Sequence, residues 1–245
     1  AVLVAAASAQ TFSALHGYTP GSDITGQAKI DFDQQMIMDA LAKDPVDFAT
    51  AKDKYMNGGN SPGMTIRKMS TEIGDKEDAL ALKMVSNPDV SVIGAYASYW
   101  SRNPISGDPS FSCKSGTTVA GCPNYADTFV MAALNNMGAY KFETPGDLDA
   151  ARGQIVKKGT AYHAVWLYVV RKLSEAVFHA EKDGATAAST VGGALDEAWA
   201  YTVGSQNANL PNTLAVSRGV NFGTCSAIPD ATLAAFKEAQ THAMA

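Results

Sequence analysis

Glu197 and Tyr201 stand four residues apart in an alanine-rich stretch, so on a helix a carboxylate and a phenol rise from one face and can converge on a single ion. Both are hard oxygen donors, the type that hard cations prefer to thiolate. The ordinary alternative is a partly exposed carboxylate beside a packed tyrosine. Asp196 projects about 100° away from Glu197 and could share a site with it only where the helix lies across a cleft. His163 falls on one helical stripe with Trp166, Val170 and Val177, a pattern that predicts an inward imidazole near the start of its helix, either hydrogen-bonded in the core or acting as a ligand. Arg67 and Arg171 open the related strings Arg67-Lys68-Met69-Ser70 and Arg171-Lys172-Leu173-Ser174. A guanidinium fork can bind a planar oxyanion through two parallel hydrogen bonds, or it can simply stay solvated. Glu175 and His179 continue the line of Arg171 at helical spacing and are expected to form an exposed ion-pair ladder.

Other chemistries find little support. The chain has no His-Glu-x-x-His, no Gly-x-Ser-x-Gly and no glycine-rich phosphate loop, so no enzyme activity is expected. Its three cysteines suit an oxidising compartment; Cys113 and Cys122 flank a short Gly/Ser/Thr loop and form the favoured disulfide, although Cys225 could take either partner. A formal net charge of -5, without a run of Lys and Arg, argues against nucleic acid or an anionic membrane as partner. With 46% hydrophobic and 18% charged residues the chain should fold around a packed core. Residues 1–9 end in a small-x-small triplet and read as the tail of a secretory signal peptide cleaved after Ala9. No other stretch approaches the ~18 consecutive apolar residues of a membrane span.

The elements that must position these side chains all read as helices. Asp31 to Lys43 has helical apolar spacing and ends before Pro45, and Asp44-Pro45-Val46-Asp47 predicts a second helix, capped by Asp44 with proline in its first turn, that runs to Gly58-Gly59. Further helices are expected at Met64 to Thr71, Asp75 to Ser86 after a break at Gly74, and Asp89 to Ser101, followed by a long cysteine-bearing loop over 102–123. Helices then recur at Asn124 to Met137, from Thr144-Pro145-Gly146-Asp147 to Lys158-Gly159, Ala161 to Asp183 and Ser189 to Val203, and after a long polar loop from Pro229 to about Met244. The expected class is all-α. The second Pro-opened helix repeats the cap chemistry of the first, which suggests two duplicated helical units packed as related bundles, 10–123 and 124–245.

Two stretches carry a resemblance. Ala51-Lys52-Asp53-Lys54-Tyr55-Met56-Asn57-Gly58-Gly59-Asn60-Ser61 followed by Arg67, and Ala194-Leu195-Asp196-Glu197-Ala198-Trp199-Ala200-Tyr201-Thr202-Val203-Gly204, resemble recurring motifs of the algal low-iron-inducible periplasmic proteins, which include iron-assimilating proteins and the related phytotransferrins. The resemblance covers roughly residues 30 to 225. It implies a secreted protein, periplasmic or at the cell surface, that binds Fe(III) for uptake, in phytotransferrins with carbonate as a synergistic anion, the kind of planar oxyanion that the fork of Arg67 or Arg171 can bind. It also implies a cell-surface iron transporter or reductase as partner. Tyr99 joins the candidate ligands as the first unit's counterpart of the Trp199-Tyr201 motif, although Tyr96-Ala97-Ser98-Tyr99-Trp100 lacks the Asp-Glu pair, so one dominant site is expected. Against this stand a metal-free helical module that docks on a transporter or wall component, and an exported helical hydrolase.

Overall fold

The computed structural model describes residues 12–75, 125–137 and 147–243. A short turn, α1 (Thr25–Ala28), leads into α2 (Ile30–Leu41), whose first turn carries Asp31 and Asp33 where the helix dipole favours negative charge. The buried side of α2 comprises Ile30, Ile37 and Ala40 together with Asp31, Asp33 and Gln34, while Met36 is exposed. Three polar side chains thus enter the core beside the apolar stripe.

The next helix, α3 (Phe48–Asn57), is capped by Asp47 and not by Asp44. The Asp47 carboxylate accepts hydrogen bonds from the Thr50 amide at 2.9 Å and its hydroxyl at 2.8 Å, and Lys43 lies 2.8 Å away. The Lys43 bond, with those from Thr50, holds this carboxyl down at about 2. Pro45 lies in the preceding turn, so the proline-at-N1 signature suggested by the sequence does not open this helix. α3 ends at Gly58 (φ 55°), whose N–H bonds the Lys54 carbonyl. α4 (Ile66–Asp75) passes through Gly74 without the expected break.

After α5 (Tyr125–Asn135), α6 (Asp147–Lys158) does not stop at Gly159. It continues through a π-helical segment, Gly159–Trp166, directly into α7 (Leu167–Asp183). Gly159 serves packing here: a Cβ at this position would come within 2.7 Å of Val130 and 3.0 Å of Phe129, so the glycine lets α5 lie against the π segment. The predicted boundary between two helices is therefore a close helix crossing.

A 3₁₀ turn, Gly184–Ala187, leads to α8 (Ala188–Val203), which Gly204 terminates at φ 70° as the sequence predicted. The expected polar loop after it contains a further helix, α9 (Pro211–Phe222), with proline in its first turn. α9 stops at left-handed Gly223, and the amides of Thr224 and Cys225 close on the Gly219 carbonyl before α10 (Ala227–Ala243). Among the described residues there is no strand beyond a single Leu15–Tyr18 pairing, and no helix is long and apolar enough to cross a membrane. The class is all-α.

One apolar core joins residues from both sides of position 123: Tyr18, Ile37, Tyr55, Ile66, Val130, Val165, Tyr168, Trp199, Leu210 and Phe236 belong to it. Tyr18, Trp199 and Phe236 stack with ring centroids 5.0–6.2 Å apart and fasten the N-terminal segment and α10 onto α8. The duplication inferred from cap chemistry is not reproduced at its two signature points, the cap of α3 and the Gly159 boundary, while residues 144–146 lie outside the described residues.

Two glycines test this packing. Gly159→Ala should destabilise the protein by about 1–3 kcal/mol through overpacking against α5. Gly192→Ala, within α8 and with open space around its missing Cβ, should gain about 0.5–1 kcal/mol of helix propensity. Urea midpoints at constant m-value measure both.

Candidate functional site

α7 and α8 pack side by side and bring oxygen donors from two predicted motifs into one contiguous cluster. Lys172 Nζ lies 2.7 Å from Glu197 Oε2 and 3.1 Å from Glu175 Oε2, so one ammonium bridges two carboxylates from different helices. Arg171, buried at 6% exposure, reaches the same Glu175 oxygen at 3.4 Å and lies 5.2 Å over the Tyr168 ring. Tyr168 in turn meets Tyr201 edge-on at 5.5 Å. The Glu175–Arg171 line, expected to be a solvated ladder, is instead half-buried between helices, because α8 covers the face that the pattern of α7 alone leaves polar.

The cluster carries two cations and two carboxylates, hence no net charge. Lys172 occupies the point toward which Glu175 and Glu197 converge, the place a bound cation would take. A trivalent ion could enter only if the ammonium leaves, and its remaining charge would need further anionic donors, supplied by ionised phenols or by an oxyanion on the freed Arg171 and Lys172. Among the described residues no group of three or more His, Cys, Asp and Glu could hold a metal, and Tyr168 and Tyr201 are buried at 2% exposure each as members of the apolar core.

The other predicted residues lie elsewhere. Asp196 faces away from Glu197, as its place on the helix required, and is enclosed at 1% exposure. It accepts hydrogen bonds from the Tyr18 hydroxyl at 2.7 Å, the Ser22 amide at 2.8 Å and the Ser22 hydroxyl at 2.7 Å. Burial, with the Asp196 hydrogen bond and charge, pushes the Tyr18 phenol far up. Asp196 thus binds the N-terminal segment and is not turned toward Glu197.

His163 sits in the π segment against Phe129, with ring centroids 5.1 Å apart, and burial lowers its pKa. Its stripe does not point uniformly inward, for Trp166 and Val177 are 40% and 39% exposed; the π segment shifts the register on which a regular helix would have aligned them. Arg67 makes a two-pronged contact with Asp127, at 3.0 and 3.3 Å, in a network where Tyr55 also donates to Asp127 and meets the Ser70 hydroxyl. Its fork is engaged by a protein carboxylate, and Arg171 is the arginine that reaches Glu175, which Lys172 links to Glu197. Tyr99, Cys113 and Cys122 lie outside the described residues, while Cys225 is an exposed thiol.

Sequence reasoning missed Lys172 and Tyr168 and placed Glu175 on the wrong surface. The i,i+3 spacing of Lys172 and the i,i+4 spacing of Arg171 to Glu175 were visible; that α8 would cover them was not.

Comparison with known proteins adds one finding. The family model described as low iron-inducible periplasmic protein matches residues 1–228. No curated protein and no solved structure matches the chain.

Two outcomes separate the enclosed groups from the cluster. Asp196→Ala should cost about 3 kcal/mol, because the Tyr18 hydroxyl and the Ser22 donors lose a charged buried acceptor; thermal unfolding measures it. His163 has a folded pKa below its unfolded value of 6.5, so between these two values the unfolded chain binds more protons and stability falls as pH drops below about 6.5. His163→Gln should flatten this dependence relative to wild type in urea titrations between pH 7.5 and 5.

Proposed function

The chain belongs to the low iron-inducible periplasmic protein family, and from that premise we propose that it captures ferric iron outside the cell for assimilation, as a binder and not an enzyme. Family membership already sets the compartment and the link to iron starvation: this is a periplasmic protein made when iron is scarce. The observation that carries the finer reading is the Lys172 ammonium held between Glu175 and Glu197 beside Arg171, Tyr168 and Tyr201. Carboxylate and phenolate oxygens are the donors ferric iron prefers.

In this reading iron displaces Lys172 from the two glutamates. Tyr201 ionises on binding and supplies a negative donor, while Glu197 and Glu175 hold the ion from the two helices. Carbonate then fits the remaining balance: Arg171 can offer it a planar two-hydrogen-bond fork, and the displaced Lys172 a second positive charge. Binding should therefore release protons and strengthen when bicarbonate is present. Handover to a cell-surface iron transporter or reductase completes the proposed role.

Titration of the full chain with ferric nitrilotriacetate, with and without bicarbonate, tests this directly. A saturating visible phenolate-to-iron band is expected, stronger with bicarbonate, abolished in Tyr201→Phe and requiring at least tenfold more iron in Glu197→Gln. Without bicarbonate Lys172→Met should bind more tightly, since the competing cation is gone, and its gain on adding bicarbonate should be smaller than that of wild type. Absence of any saturable band in wild type under both conditions overturns the proposal.

A further inference from the structure

A second concavity has a chemistry unrelated to oxygen-donor ligation. It lies among the π segment, α9 and α10, encloses about 250 Å³, and is walled by Tyr162, Trp166, Leu214, Ala215, Ile228 and Pro229. Its walls are overwhelmingly apolar, yet Trp166 and Ile228 remain 40% and 59% exposed, a cost that a folded chain ordinarily avoids by burying such groups. The two aromatic residues come from the π segment, whose widened turn departs from the regular helix on either side; such interruptions recur at functional sites. Arg218 of α9 also lines the cavity, and no carboxylate among the described residues forms an ion pair with it.

An apolar slot with one uncommitted guanidinium at its wall is complementary to a molecule with an apolar body and one negative end. The volume falls just below the ~300 Å³ at which sites for drug-sized ligands begin, which restricts the occupant to a small one. We propose that this cavity binds a small apolar monocarboxylate, its hydrocarbon body against Trp166, Leu214 and Ile228 and its carboxylate on Arg218. The inference does not depend on iron binding, since none of these residues belongs to the Glu175–Lys172–Glu197 cluster.

Octanoate and benzoate serve as probes, with octan-1-ol as the neutral comparison, read by tryptophan fluorescence of the full chain with Trp166→Phe as the signal control and by calorimetry independently. Saturable binding of at least one carboxylate is expected. Arg218→Gln should weaken carboxylate binding roughly tenfold, the scale of one charge-assisted hydrogen bond, while octanol binding changes less than twofold. Ala215→Phe, which fills the slot, should abolish binding of carboxylate and alcohol alike, with its melting temperature reported alongside; if that variant unfolds, Leu214→Ala replaces it and should weaken both probes. No saturable binding of either carboxylate, unchanged carboxylate affinity in Arg218→Gln, or full binding in a folded Ala215→Phe variant each overturns the proposal.

Discussion

A buried carboxylate must be given hydrogen bonds by the protein, because the water it gave up cannot follow it inside. Four aspartates of this chain take donors far away in sequence, three of them on both oxygens and Asp33 on Oδ1 alone, its buried Oδ2 having no partner among the described residues. Asp196 takes Tyr18 and Ser22, Asp31 takes the Ser205 hydroxyl at 2.9 Å and the Gln206 amide at 2.6 Å, Asp33 takes the amide and side chain of Asn60, and Asp127 takes Arg67 and Tyr55. Three of these bond sets tie a loop or segment to a helix and so decide how the connections lie over the bundle, while that of Asp127 ties α5 to α3 and α4. Hydrophobic burial supplies the bulk of the driving force but is indifferent to which loop lies where.

The same constraint explains two glycines. At Gly204 a Cβ would stand 2.6 Å from the Asp31 Cβ, and at Gly58 one would stand 2.9 Å from Asp33 Oδ2. Both positions also have positive φ, so the chain needs glycine twice over: to turn out of a helix and to let an aspartate approach the turn. Helix ends and buried acids are one device here. The N-terminal segment, with Trp199 Nε1 donating to the Leu15 carbonyl at 2.8 Å, is held by the same α8 that presents Glu197 on its other side.

That division of α8 shapes the candidate site. Asp196 and Glu197 are neighbours in sequence and point to different tasks, one structural and satisfied, the other half-exposed and paired only to a mobile type of side chain, a lysine. A carboxylate with three short hydrogen bonds from its own fold is a poor ligand, since a metal would have to replace all of them. One held by an ammonium can exchange one cation for another. The contrast between Arg67 and Arg171 has the same origin: Asp127 grips the first through both prongs, while the second reaches Glu175 at 3.4 Å and lies over a tyrosine ring.

Much was determined by the sequence alone. Helical class, the α8 boundary at Gly204 and the opposed direction of Asp196 all follow from local spacing and cap chemistry, which act within a turn or two of chain. Family resemblance was readable for the same reason, being carried by short motifs at Ala51 to Ser61, followed by Arg67, and at Ala194 to Gly204. The tertiary structure decided what depends on contacts between distant residues. Gly159 reads locally as a stop and becomes a packing notch because Val130 lies against it; Asp44-Pro45 reads as a cap and yields to Asp47 because Thr50 and Lys43 complete the better one. Arg171 and Glu175 read as a solvated face, and become the wall of a charged cluster because α8 packs over them. Periodicity reports which way a side chain points from its own helix; only the packing of helices says what it meets there.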